Sequence, residues 1–136
     1  MSKKPPPIGL AIIICDTVIA DQKTGKKSLI GIFNRIWVQS FPASHPELHI
    51  FISLTNGHGH YHCTLQCLNE SNGQIIAKAE GDIDFEDPRQ VIEADYNLLG
   101  LVFPAQGQYS FEFLCNGNPL LHRRFIVERA KKEEDK

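Results

Sequence analysis

Apolar and polar residues alternate along this chain with a period of two, and turn signals break the pattern roughly every ten residues. No other feature constrains the fold as strongly. The clearest case spans residues 74–85, where Ile75, Ala77, Ala79, Ile83 and Phe85 share one face and Lys78, Glu80, Asp82 and Asp84 the other. A strand with one apolar face needs a second apolar layer to cover it. Similar runs are predicted over residues 8–20, 28–38, 47–55, 60–68, 91–103, 108–115 and 120–129. Between them, Lys23-Thr24-Gly25-Lys26, Asn56-Gly57, Asn72-Gly73 and Asn116-Gly117 supply residues that tolerate left-handed backbone. Pro42 and Pro46 argue against a central strand over residues 39–46. With helical periodicity nearly absent, the expected fold is all-β, a two-sheet antiparallel sandwich of about eight strands.

Size and charge narrow what such a sandwich can do. At 136 residues the chain makes one domain. Its expected division is a flexible N-terminal segment over residues 1–7, the sandwich over 8–129, and a charged, disordered tail over 130–136. The net charge of −2 and the scattered Lys and Arg residues predict no nucleic-acid partner. No stretch approaches the ~20 apolar residues that span a bilayer, so no membrane partner is expected. The apolar run at residues 8–15 is short for an export signal, stands behind Pro5-Pro6-Pro7, and carries Ile13 and Ile14 where small residues precede a lipidated cysteine. The expected location is therefore cytoplasmic. Cys63, Leu65 and Cys67 share a strand face, and Cys115 extends the inward series Tyr109, Phe111, Phe113. These three and Cys15 are therefore read as reduced, buried thiols rather than disulfides.

Three places carry candidate chemistry. His58, His60 and His62 are spaced so that a strand would project them from one face. Zinc takes three or four such ligands, with His49 or an acid from residues 74–85 as the fourth. A plain polar face is favoured there, and a zinc-type metal site or metal-dependent hydrolase is the alternative. The acidic row Glu80, Asp82, Asp84, Glu86 reads as a solvated outer face rather than a calcium loop. Asp16 interrupts an apolar strand, and a structural ion pair with Arg35 or Arg123 is expected. Trp37, His49, Phe51 and Arg124 are candidates for a contact surface, Trp and Arg being favoured at protein interfaces. No nucleophile elbow, glycine-rich phosphate loop or Cys-x-x-Cys motif is present, so neither a catalytic site nor a cofactor is expected. What remains is a non-enzymatic binding or scaffolding module that acts through a protein partner, or through a second copy joined at a sheet edge.

The run Pro104-Ala-Gln-Gly-Gln-Tyr-Ser-Phe111, followed by Asn116-Gly117 and a last strand, resembles the final hairpin of immunoglobulin-like sandwich modules. With Ile14-Cys15-Asp16-Thr17-Val18, Ser28-Leu29-Ile30-Gly31-Ile32-Phe33 and Ser40-Phe41-Pro42-Ala43, it is similar to an uncharacterised family of small bacterial β-sandwich proteins. The resemblance covers roughly residues 10–128 and implies an immunoglobulin-like fold and a bacterial origin. It implies no activity, and the stretch with His58, His60 and His62 lies outside its pattern.

Overall fold

A computed structural model describes residues 4–131. The expectations for residues 1–3 and 132–136 lie outside the described residues. Among the described residues nine strands form: β1 (Ile8–Ala20), β2 (Lys27–Ile32), β3 (Arg35–Val38), β4 (Ala43–Thr55), β5 (Gly59–Asn69), β6 (Ile75–Phe85), β7 (Val91–Phe103), β8 (Gly107–Cys115) and β9 (Asn118–Arg129). They build a four-stranded sheet in the order β2-β1-β4-β7 and a five-stranded sheet in the order β3-β9-β8-β5-β6. The expected sandwich is present, with a strand more than expected and with one parallel pair, β3 on β9.

The extra strand arises where one run over residues 28–38 was expected. Gly31 takes φ +71°, and residues 33–34 leave the ladder, so the chain crosses from the edge of one sheet to the edge of the other. The Phe33 N–H still donates to the Ile14 carbonyl of the first sheet at 3.0 Å, while the Asn34 carbonyl accepts from the Ile126 N–H of the second at 3.1 Å. Proline also behaves differently from expectation, because Pro46 lies inside β4. It is tolerated because β1 pairs with β4 only as far as His49, so no neighbour on that side needs its missing N–H. Pro46 falls level with Gly100 of β7, which takes φ +62°. The inward alternation inverts there: Leu48 and Leu98 face the core on one side, Ala43, Leu101 and Phe103 on the other.

The two inner faces differ in chemistry. The four-stranded sheet contributes an aliphatic layer, Ile12, Ile14, Leu48, Ile50, Ile52 and Leu54. The five-stranded sheet contributes Tyr61, Tyr109, Phe111, Phe113 and Phe125. Phe111 stacks on Phe125 at 5.1 Å between centroids, and Phe103 meets Tyr109 edge-to-face at 5.0 Å. Both geometries suit the ring quadrupole. Arg123 closes the flank between the sheets, its Nε–H donating to the Ile12 carbonyl at 2.8 Å. Residues 4–7 lack regular structure, yet Pro7 is buried and the Pro5 carbonyl accepts the Tyr61 hydroxyl at 2.8 Å.

The β1–β2 hairpin does not continue the plane of its sheet. Lys27 Nζ lies 3.4 Å from Glu93 Oε1. In the ladder Lys27 is level with Ala20, whereas Glu93 is level with Ser53 and, through it, Ala11. Nine residues of straight strand would separate those levels by about 30 Å. β1 therefore bends after Cys15, and the hairpin folds back as a flap over the outer face of β4 and β7. The bend coincides with Asp16 and Gly31, the one opposed pair missing from an otherwise continuous register. Beneath the flap Cys15, His49, Phe51 and Ser53 are buried although they point away from the core. Val18 and Leu29 are its half-buried underside, and Ile19 and Ile30 remain exposed.

Candidate functional site

Bending the hairpin at Gly31 and splitting β2 from β3 leaves a shallow groove where the two sheets meet, about 360 Å³ in volume. Asp16 and Gly31 come from the bend, Ile32 and Phe33 from the crossover, Arg35, Ile36 and Trp37 from β3, and His45 from β4. Trp37 is 57% exposed, which is unusual for so large an apolar side chain. The Arg35 guanidinium stands 5.4 Å above its ring and pairs with Glu128, two contacts that fix the stacked geometry. Phe33 and His45 oppose each other at 6.0 Å between centroids across the floor. β3 is an edge strand with β9 on one side only, so its other edge keeps backbone donors and acceptors open. The lining offers a cation, an anion, aromatic faces and an open strand edge, and it contains no Ser, Thr or Cys nucleophile.

Asp16 forms neither of the expected ion pairs. It is exposed at the hairpin bend, Arg35 is taken by Glu128, and Arg123 is used by the Ile12 carbonyl. The bend accounts for the error, because it turns an otherwise inward position toward water. Asp16 and Arg35 nonetheless border the same groove. Of the expected contact residues, Trp37 is in the groove. Arg124 is exposed on β9, with Nε 3.3 Å from Glu70 Oε1. His49 and Phe51 are not surface residues, since the flap covers them to 8% and 9% exposure. His49 Nδ1 instead lies 2.8 Å from Asp95 Oδ1. Sequence reasoning missed Phe33 and His45 as groove residues. Gly31, an interruption in an apolar alternation, was the available signal for the bend that exposes them.

The histidines meet carboxylates. β5 and β6 set His60 opposite Asp84 and His62 opposite Asp82. His60 Nδ1 lies 2.8 Å from Asp84 Oδ1, and His62 Nδ1 lies 2.9 Å from Asp82 Oδ1 with Nε2 3.2 Å from Glu80 Oε1. The result is an alternating ladder, Glu80–His62–Asp82–His60–Asp84, on the outer face. Hydrogen bonds to Asp82 and then Glu80 raise the His62 pKa, and the bond to His62 lowers that of Asp82. His58 stays outside the ladder, ahead of Gly59, with its backbone N–H donating to the Tyr61 hydroxyl at 2.9 Å. Among the described residues no three His, Cys, Asp or Glu side chains are disposed to hold one metal ion. Cys15, Cys63, Cys67 and Cys115 are all buried free thiols, as expected.

Among the described residues no helix is long and apolar enough to cross a membrane. No curated protein shows significant similarity to the chain. A family profile matches residues 10–128, nearly the whole sandwich, and the chain accordingly belongs to a family of unknown function, DUF6941.

Proposed function

We propose that this domain is a non-enzymatic, protein-binding module that receives an extended segment of a partner in the groove beside β3. The carrying observation is Trp37, 57% exposed on an open edge strand and braced by Arg35. Strand addition at such an edge supplies backbone hydrogen bonds, and flanking side chains supply selectivity. Trp and Arg are the residue types that most often dominate contact energetics. The absence of a nucleophile from the lining agrees with binding rather than chemistry. The immunoglobulin-like character and bacterial origin belong to the same proposal, resting on the resemblance of residues 10–128. So does cytoplasmic location, with the four free thiols suited to a reducing compartment.

A displayed library of random peptides, panned against the whole chain, tests this. We expect enriched peptides whose affinity falls at least about tenfold in Trp37→Ala while the thermal midpoint stays put, a loss of ~1.4 kcal/mol. Failure to enrich any peptide, or binding indifferent to Trp37→Ala and Asp16→Ala, would overturn the proposal.

A further inference from the structure

β5 and β8 set Cys63 directly opposite Cys115. The Asn116 N–H donates to the His62 carbonyl at 2.8 Å, a bond between the residue after one cysteine and the residue before the other. That pattern marks a non-hydrogen-bonded pair, the closer of the two antiparallel kinds, with Cα atoms about 4.5 Å apart. This separation is within the ~4.4–6.8 Å range that a disulfide spans. The Sγ atoms are 2.9 Å apart, and both side chains are fully buried. Cys67 faces Phe111 and Ala77, and Cys15 faces Ile32 and His49, so neither of the other thiols has a sulfur opposite it.

We propose that Cys63 and Cys115 are a modification site, a dithiol that closes reversibly to an intramolecular disulfide and staples β5 to β8. A hydrogen bond joins the two thiols, and Cys63, one strand nearer the sheet edge than Cys115, is the sulfur an oxidant reaches first, which makes it the attacking one. The oxidant is a low-molecular-weight disulfide. The Cys63 thiolate attacks one of its sulfurs, forms a mixed disulfide and expels one small thiolate. Cys115 then loses its proton and attacks Cys63 Sγ, expelling the second. The protein loses two electrons and two protons, and the oxidant gains both as two thiols. The neighbour of Cys63 on edge strand β6 is Gly81, where no side chain stands. The Tyr96 hydroxyl lies 3.9 Å from where a Gly81 Cβ would be. Swinging Tyr96 aside opens a route to the sulfurs without parting the sheets.

The test incubates the full chain with glutathione disulfide up to just below its unfolding temperature, then alkylates and maps it by mass spectrometry. Two of the four thiols should be lost, with one Cys63–Cys115 cross-linked peptide, Cys15 and Cys67 still alkylated, and full reversal by dithiothreitol. Cys115→Ser should accumulate a mixed disulfide on Cys63, whereas Cys63→Ser should form much less on Cys115. Four free thiols throughout, a stable adduct on the wild-type Cys63, or a cross-link involving Cys15 or Cys67 would overturn the proposal. The wild-type map decides the matter even if a serine variant fails to fold.

Discussion

Gly31→Ala tests the hairpin bend on which both the flap and the groove depend. Gly31 takes φ +71°, and a left-handed conformation costs an L-residue about 1–2 kcal/mol. Part of that is offset by about 0.4–1 kcal/mol, because alanine narrows the unfolded ensemble. A Cβ at Gly31 would stand 2.3 Å from Asp16 Oδ2, 2.8 Å from Cγ and 3.1 Å from Cβ. Asp16 is exposed and can swing its carboxylate away, but its Cβ is fixed by the backbone, so the hairpin must give by a few tenths of an ångström, at about 1 kcal/mol of bond-angle strain. The expected loss is about 1.5–2 kcal/mol. With about 2.1 cal/mol/K of unfolding entropy per residue, the thermal midpoint should fall by about 5–7 °C. Gly25→Ala is the matched control, since Gly25 has φ +74° in the same hairpin and nothing within 4 Å of a Cβ. It carries the backbone effect alone and should lose under about 1.5 kcal/mol. Thermal unfolding followed by circular dichroism reads both, and Asp16→Ala in the Gly31→Ala background keeps the Cβ contact and should leave the difference in place. A Gly31→Ala protein that unfolds with the wild type, or together with Gly25→Ala, would refute the bend.

Two further outcomes follow from particular contacts. Tyr109→Phe removes the hydroxyl that donates to the Ala105 carbonyl, and it should lower stability by about 1–1.5 kcal/mol in a urea titration with an unchanged slope. A change under about 0.3 kcal/mol would show that this bond contributes nothing net. For the outer ladder, the folded pKa of His62 lies above its ordinary ~6.5, so its stabilising contribution is complete below that pH and disappears as pH rises through the folded value. Asp82 is shifted the other way, so its contribution is present above ~3.9 and is lost as pH falls through its folded value. The ladder is therefore most stabilising between about pH 4 and 6.5. Imidazole titration by NMR should place the His62 midpoint above the ordinary value, and Asp82→Asn should bring it down. A wild-type midpoint at or below the ordinary value would contradict the ladder.

Much of the candidate site could not be read from the chain. Trp37 was legible as a contact candidate, but the open backbone edge beside it follows from β3 lying at the edge of its sheet, which its own four residues do not announce. Asp16 looked buried because its neighbours are apolar, and only the bend turns it to water. His60 and His62 were visible as a same-face pair, but their carboxylate partners depend on the register between β5 and β6, set by the hairpin through Asn72-Gly73. The thiol pair was half legible. The inward positions of Cys63 and Cys115 follow from alternation, while their opposition requires the pairing of β5 with β8.

The sequence by itself determined that this is an all-β chain, where most strands begin and end, and which face of residues 77–85 and 108–115 meets the core; Ile75, expected inward, is exposed because the register with β5 shifts there and Ile76 packs inward instead. Those properties are local, since side chains alternate across any strand and turn residues act on their immediate backbone. Tertiary structure decided the sheet order, the parallel placement of β3, the folding back of the β1–β2 hairpin and the inversion at Pro46 and Gly100. Each depends on which strands meet at long range, and a two-residue period is satisfied equally by many partners and registers.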